Sequence, residues 1–181
     1  MASQLVEHVH SGGQLETTEL PWIHEPNFRC FGCSPRNDFG LALQMAVVGD
    51  EVISEVVFSE KYASYPGVVH GGIVGVVVDE VMGDAIALRY GALAFSQTLR
   101  TKYLEPVRVG RQYRCVARVS RPERGPFKAE ADLVDAAGAT VVMATATFQH
   151  IRADQARDQM GLDEAEMTRL ATYFEQDESE V

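Results

Sequence analysis

The sequence predicts an α+β protein in which an antiparallel sheet wraps around one long central helix. Three observations predict this. The run from Gly71 to about Tyr90 carries no turn signal and is longer than an ordinary strand, so it reads as a helix despite its β-branched residues. Six β-type runs bounded by turn residues surround it in the order β-β-α-β-β-β-β. The helix is apolar on nearly every face, so sheet must cover one side and a partner chain the other.

The elements follow in order. Residues 1–26 are polar, with Ser11-Gly12-Gly13, and form a loosely attached arm that docks through Leu20-Pro21-Trp22-Ile23. Leu41 to Val48 and Val52 to Phe58 are strands, and Gly49-Asp50 between them predicts a tight hairpin with Glu51 and Glu55 facing water. Gly91 is a C-terminal stop for the helix. Four more strands follow: Ala94 to Leu104, Gln112 to Ser120, Phe127 to Val134 and Thr140 to Ile151. Residues 162–176 form a short amphipathic helix with Asp163 and Glu166 at its start, and Asp177 to Val181 fray. The organisation is an arm (1–26), a domain (27–151) and an acidic tail (152–181).

Composition narrows the function. The chain has 181 residues, 46% of them apolar, and a net charge of −10, which disfavours nucleic acid or an anionic membrane as a general partner. The apolar run Val68 to Leu88 is interrupted by Asp79, Glu80 and Asp84, so it is not a membrane span. Three cysteines and an N-terminus without a leader pattern predict a reduced, cytoplasmic protein. Between Arg100 and Lys128, nine basic residues face only Glu105 and Glu123. Such a segment either holds a small polyanion or alternates along solvated strand faces.

The helix start carries the chemistry. His70 precedes Gly71 and Gly72, whose N–H groups lie at the positive end of the helix dipole. Such donors stabilise charge developing on a carbonyl oxygen, and glycine lets a substrate approach the backbone. Asp79 is seven residues beyond Gly72, close to two turns, and so shares its face. It would draw a proton from water or attack directly. The alternative is a glycine-rich helix start with Asp79 in a buried polar network. Glu80 is rotated about 100° away and cannot face the same carbonyl. Asp84 lies farther along or is paired. His70 either touches substrate or braces the turn. The axial separation of glycines and Asp79 is roughly 10 Å, too far for one helix to hold and attack one carbonyl. Two antiparallel copies of the helix remove that difficulty, so the spacing favours a site shared between subunits.

Cys30-Phe31-Gly32-Cys33 has the spacing of half a zinc site. No second pair completes it: Cys115 is isolated and no histidine pair is near, so a surface turn feeding Leu41 is expected, with no metal and no cofactor.

Pro66-Gly67-Val68-Val69-His70-Gly71-Gly72, with Asp79 nine residues after the histidine, resembles the hotdog-fold acyl-CoA thioesterases, and its phenylacetate-pathway-type branch above all. Asn27 to Cys33 with Asn37 to Leu41, Ser96 to Pro106, and Gly138 to Ala146 agree, so the resemblance covers about residues 27–150. It implies a homodimer or dimer of dimers with interfacial sites. It also implies a thioester carbonyl polarised at Gly71, Asp79 of the other subunit as base or nucleophile, and Ser96 (or Thr98) placing water. The family's amide before His-Gly-Gly is absent from Tyr62-Ala63-Ser64-Tyr65-Pro66. On this reading Arg100, Lys102, Arg108 and Arg111 meet the phosphates of coenzyme A, and Tyr62, Tyr65, Met82, Ile86 and Tyr90 either line the acyl pocket or are simply core. Two rivals are a non-catalytic acyl-CoA-binding protein of the same fold and a hotdog dehydratase or hydratase. Asp79 argues against the first, and its placement relative to His70 against the second.

Overall fold

Burying the run from Ile73 to Leu88 organises the molecule. A computed structural model describes residues 15–122 and 125–174. The elements are β1 (Ala46–Val48), β2 (Glu51–Val57), β3 (Ala63–Tyr65), β4 (Val68–Val69), α1 (Gly71–Tyr90), β5 (Ala94–Tyr103), β6 (Gln112–Ser120), β7 (Phe127–Asp135), β8 (Thr140–His150), α2 (Ala153–Met160) and α3 (Glu164–Leu170). Six strands form one antiparallel sheet in the order β1-β2-β6-β7-β8-β5, and β3 and β4 form a separate pair. This is the hotdog architecture that the sequence predicts.

Side chains alternate across the sheet as the pleat demands. On β7, Phe127, Ala129, Ala131 and Leu133 are buried while Lys128 and Glu130 are exposed. Ala129 pairs with Ala146 and Ala131 with Ala144. These small buried residues leave room for α1, whose Val74, Val77, Val78, Val81, Met82, Ala85 and Ile86 form the core with them. Gly91 ends α1 at φ 57°, the left-handed conformation that glycine adopts without penalty. Phe148, 2% exposed, is among the largest side chains of this core. Phe148→Ala should destabilise the fold by about 3–5 kcal/mol. The shift of the urea unfolding midpoint measures it.

Several expectations need correction. Leu41 to Val48 is a strand only from Ala46. Upstream, Leu41 and Leu43 donate to the carbonyls of Phe31 and Gly32, and Ala42 takes a positive φ, so this backbone pairs with the Cys30–Cys33 loop instead. Glu51 does not face water: it is buried against Arg118 at 2.6 Å. Arg114 pairs with Glu55 at 2.7 Å, so part of the basic segment is neutralised on the sheet. The arm is not loose over its described part. Thr18 pairs with Met45, Leu20 and Trp22 are buried, and Trp22 stacks on Phe174 at 5.3 Å between ring centres. Ser11-Gly12-Gly13 and Asp177 to Val181 lie outside the described residues. The expected C-terminal helix spans only α3, with Asp163 and Glu166 exchanging backbone hydrogen bonds at its start. β3, β4 and α2 were not expected. The first two are too short for a period, and α2 has only Ala153, Ala156 and Met160 as apolar residues.

Candidate active site

The start of α1 is held by its own cap. The His70 ring accepts from the Gly72 N–H at 2.9 Å, and its carbonyl accepts from Ile73 and Val74. His70 therefore braces the turn. The Gly72 N–H is thereby engaged, and among the described residues none accepts from the Gly71 N–H. From β5, Tyr103 donates its hydroxyl to the Gly71 carbonyl at 2.7 Å, tying the sheet edge to the helix start.

Two turns along α1, Asp79 accepts from Ser96 Oγ at 2.7 Å. A bulge between Ser96 and Thr98 sets which hydroxyl reaches it. Ser96 turns to the acid, whereas the Thr98 hydroxyl meets Thr147 at 2.8 Å. Gly71, Gly75 and Asp79 of α1 then line one open groove with Ser96, Leu99 and Tyr103 of β5. The groove lies at the unpaired edge of the sheet, where Phe95, Leu99 and Tyr103 are 42%, 39% and 51% exposed.

A second cavity, of about 490 Å³, shares Asp79 and Ser96 with this groove. Trp22, Phe28, Phe148, Leu170 and Phe174 give it apolar walls, and Cys30, Glu80 and Asp84 also face it. Burial pushes the Glu80 carboxyl up to about 8, with the charge of Cys30 adding to it. Hydrogen bonding to Cys33 pulls the Cys30 thiol down to about 5, against the burial that raises it. Cys30 Sγ and Glu80 Oε1 lie 2.9 Å apart and share a proton. Cys33 is pushed up by its hydrogen bond to Cys30 and then by burial. Burial, followed by the charge of Glu80, holds Asp84 well above the usual carboxylate range, and its Oδ2 has no hydrogen-bond partner.

The structure brings together His70, Gly71, Gly72, Asp79 and Ser96, but not the four cations. Arg100 and Lys102 are exposed on β5 and alternate with Leu99, Thr101 and Tyr103, so they point away from α1. Arg108 and Arg111 are exposed between β5 and β6. The residues expected in the pocket or the core divide between the core and other contacts. Met82 and Ile86 are core, Tyr65 is 75% exposed, and Tyr62 and Tyr90 bond the carbonyls of Gly40 and Val119. The cavity is walled instead by both flanking segments, which sequence reasoning missed. The apolar spacing of Leu162, Leu170 and Phe174 was the available signal. The Cys30–Cys33 turn is not a surface feature either, because Cys33 is buried and Cys30 faces Glu80.

Comparison with known proteins agrees with this geometry. Residues 66–142 match the thioesterase superfamily model. No curated protein shows significant sequence similarity. Among solved structures, a putative thioesterase from Ralstonia eutropha JMP134, related to phenylacetic acid degradation, is 25% identical with a TM-score of 0.55, over 61% of this chain and 86% of its own. The Escherichia coli PaaI protein of the phenylacetic acid degradation operon is 15% identical with a TM-score of 0.56, over 61% and 80%. A Streptococcus mutans UA159 protein bound to acetyl CoA is 20% identical with a TM-score of 0.57, over 71% and 96%. The six-stranded antiparallel sheet around α1 is the hotdog fold, and the segment that matches the thioesterase superfamily model holds the His-Gly-Gly helix start, Asp79 and Ser96.

Proposed function

We propose that the protein hydrolyses acyl-CoA thioesters at sites completed by a second copy of the chain. The observation that carries this is Asp79, held by the Ser96 hydroxyl at 2.7 Å in a groove that opens onto an unpaired sheet edge. The Gly71 N–H of one subunit polarises the thioester carbonyl, aided by the helix dipole. Gly72 contributes through that dipole, since its own N–H serves the His70 cap. Asp79 of the other subunit takes a proton from the attacking water, which adds to the carbonyl carbon. Collapse of the adduct expels the coenzyme A thiolate, which leaves with a proton as the free thiol. His70 fixes the helix start. Arg100, Lys102, Arg108 and Arg111 meet the coenzyme phosphates at the rim, where charge steers more than it binds.

The unpaired β5 edge supports this arrangement, because two copies could pair along it. Such pairing would cover Phe95, Leu99 and Tyr103 and satisfy the backbone groups of the edge. A dimer or a dimer of dimers follows.

Release of free thiol from a panel of acyl-CoAs tests the activity. Binding without release would replace the hydrolase reading with that of a non-catalytic acyl-CoA-binding protein. Ser96→Ala should lower kcat by about tenfold to a hundredfold, because a hydrogen bond to a charged group is worth about 1.5–3 kcal/mol. Steady-state kinetics read this directly, and an unchanged kcat would remove Ser96 from the site.

A further inference from the structure

We propose that Cys30, Cys33 and Glu80 bind a zinc-class divalent ion, clamping the Cys30–Cys33 loop onto α1 one residue beyond Asp79. The ligand atoms of these three residues already lie within 4.8 Å of one another. Thiolates at about 2.3 Å from zinc and a carboxylate oxygen at about 2.0–2.2 Å require an adjustment of roughly 1 Å for the widest pair. The counting argument from sequence fails because the third ligand is not a cysteine or histidine near the pair. It is an acid supplied by the helix, 47 residues after Cys33.

Four features of the surroundings fit an ion. Gly32 is where it must be: a Cβ there would sit 2.3 Å from Glu80 Cδ and 2.5 Å from its Oε2, so only glycine leaves the carboxylate room inside the loop. The Gly32 N–H donates to Cys30 Sγ at 3.3 Å, a contact that favours a thiolate. Asp84, one turn below Glu80 on the same face, keeps a buried Oδ2 without a hydrogen-bond partner. Cys30, Cys33, Glu80 and Asp84 therefore gather potential negative charge in a low-dielectric setting, where a divalent cation is the natural counter-charge. All four residues line the 490 Å³ cavity, so the fourth coordination position is open to water or to a group entering from it. On binding, the ion displaces the Cys33 thiol proton and the proton that Cys30 and Glu80 share. The thiolates and the carboxylate remain as ligands and nothing is oxidised.

Cobalt(II) is the probe. The full chain is reduced with a phosphine, stripped with a chelator, and titrated with Co²⁺ under exclusion of oxygen. Thiolate ligation gives a sulfur-to-cobalt charge-transfer band, and tetrahedral geometry gives intense visible d–d bands. Zinc should displace the cobalt stoichiometrically and abolish both. Cys30→Ser and Cys33→Ser should each weaken Co²⁺ binding tenfold or more and reduce the charge-transfer band. Cys115→Ser, whose thiol is buried in the core, should leave both unchanged. Glu80→Gln retains both thiols and near-identical volume, so it reports on the carboxylate even where a serine variant folds poorly. It should also weaken Co²⁺ at least tenfold. No charge-transfer band in the parent chain, or equal affinity in Glu80→Gln, would overturn the site as assigned.

Discussion

Asp79→Asn should lower thiol release by about 10²- to 10⁴-fold, while circular dichroism and sedimentation should match the parent chain. The substitution keeps the shape of the side chain and an oxygen that still accepts from Ser96, so the groove is retained. Only the capacity to take a proton from water, or to attack as a carboxylate, disappears. Acyl-CoA binding should persist, which a titration with a non-hydrolysable thioether analogue measures. Retention of parental kcat would exclude Asp79 as base or nucleophile.

Gly71→Pro removes one N–H and adds a ring whose Cβ would sit 3.3 Å from the Tyr103 hydroxyl, a tight contact that Tyr103 relieves by shifting a few tenths of an ångström. Proline is favoured at the first position of a helix, where its fixed φ suits the turn. The preceding residue, His70, already has φ −63° and ψ 130°, the extended conformation that proline imposes on its neighbour. The expected result is a folded protein with kcat lowered by about 10²–10³, the cost of losing one donor to the developing oxyanion. Together the two variants also test whether the site is shared. Co-refolding Asp79→Asn with Gly71→Pro produces mixed dimers in which one site is intact, so about a quarter of parental activity returns. A site contained within one chain would recover nothing.

The central helix was legible from Gly71 to about Tyr90, because its length exceeds an ordinary strand and Gly91 marks its end. Strands β5 to β8 were legible within a residue at each end, since turn residues bracket them. Asp79 could be separated from Glu80 by angle alone. What the spacing could not reveal was mostly non-local. Whether Ser96 or Thr98 reaches Asp79 depends on a bulge, and a bulge leaves no mark in composition. Glu51 looked solvated because its partner Arg118 is on another strand. The Cys30–Cys33 turn looked like half a site because its acidic neighbour is on α1. The apolar and aromatic residues in and before the helix could not reveal the cavity, whose walls come largely from the two flanking segments.

Those flanks have a consequence for how the chain can change. Glu25 holds Arg169 at 2.7 Å, Asn27 holds Glu166 at 3.0 Å, and Trp22 stacks on Phe174, so two segments some 140 residues apart meet over the cavity. Both lie outside residues 66–142, the portion shared with the superfamily model. Asp79 and Ser96 and the flanking walls of the chamber beside them are thus written in separate stretches of the gene. Exchange or drift in the flanks can reshape the chamber without disturbing α1 or the strand that carries Ser96.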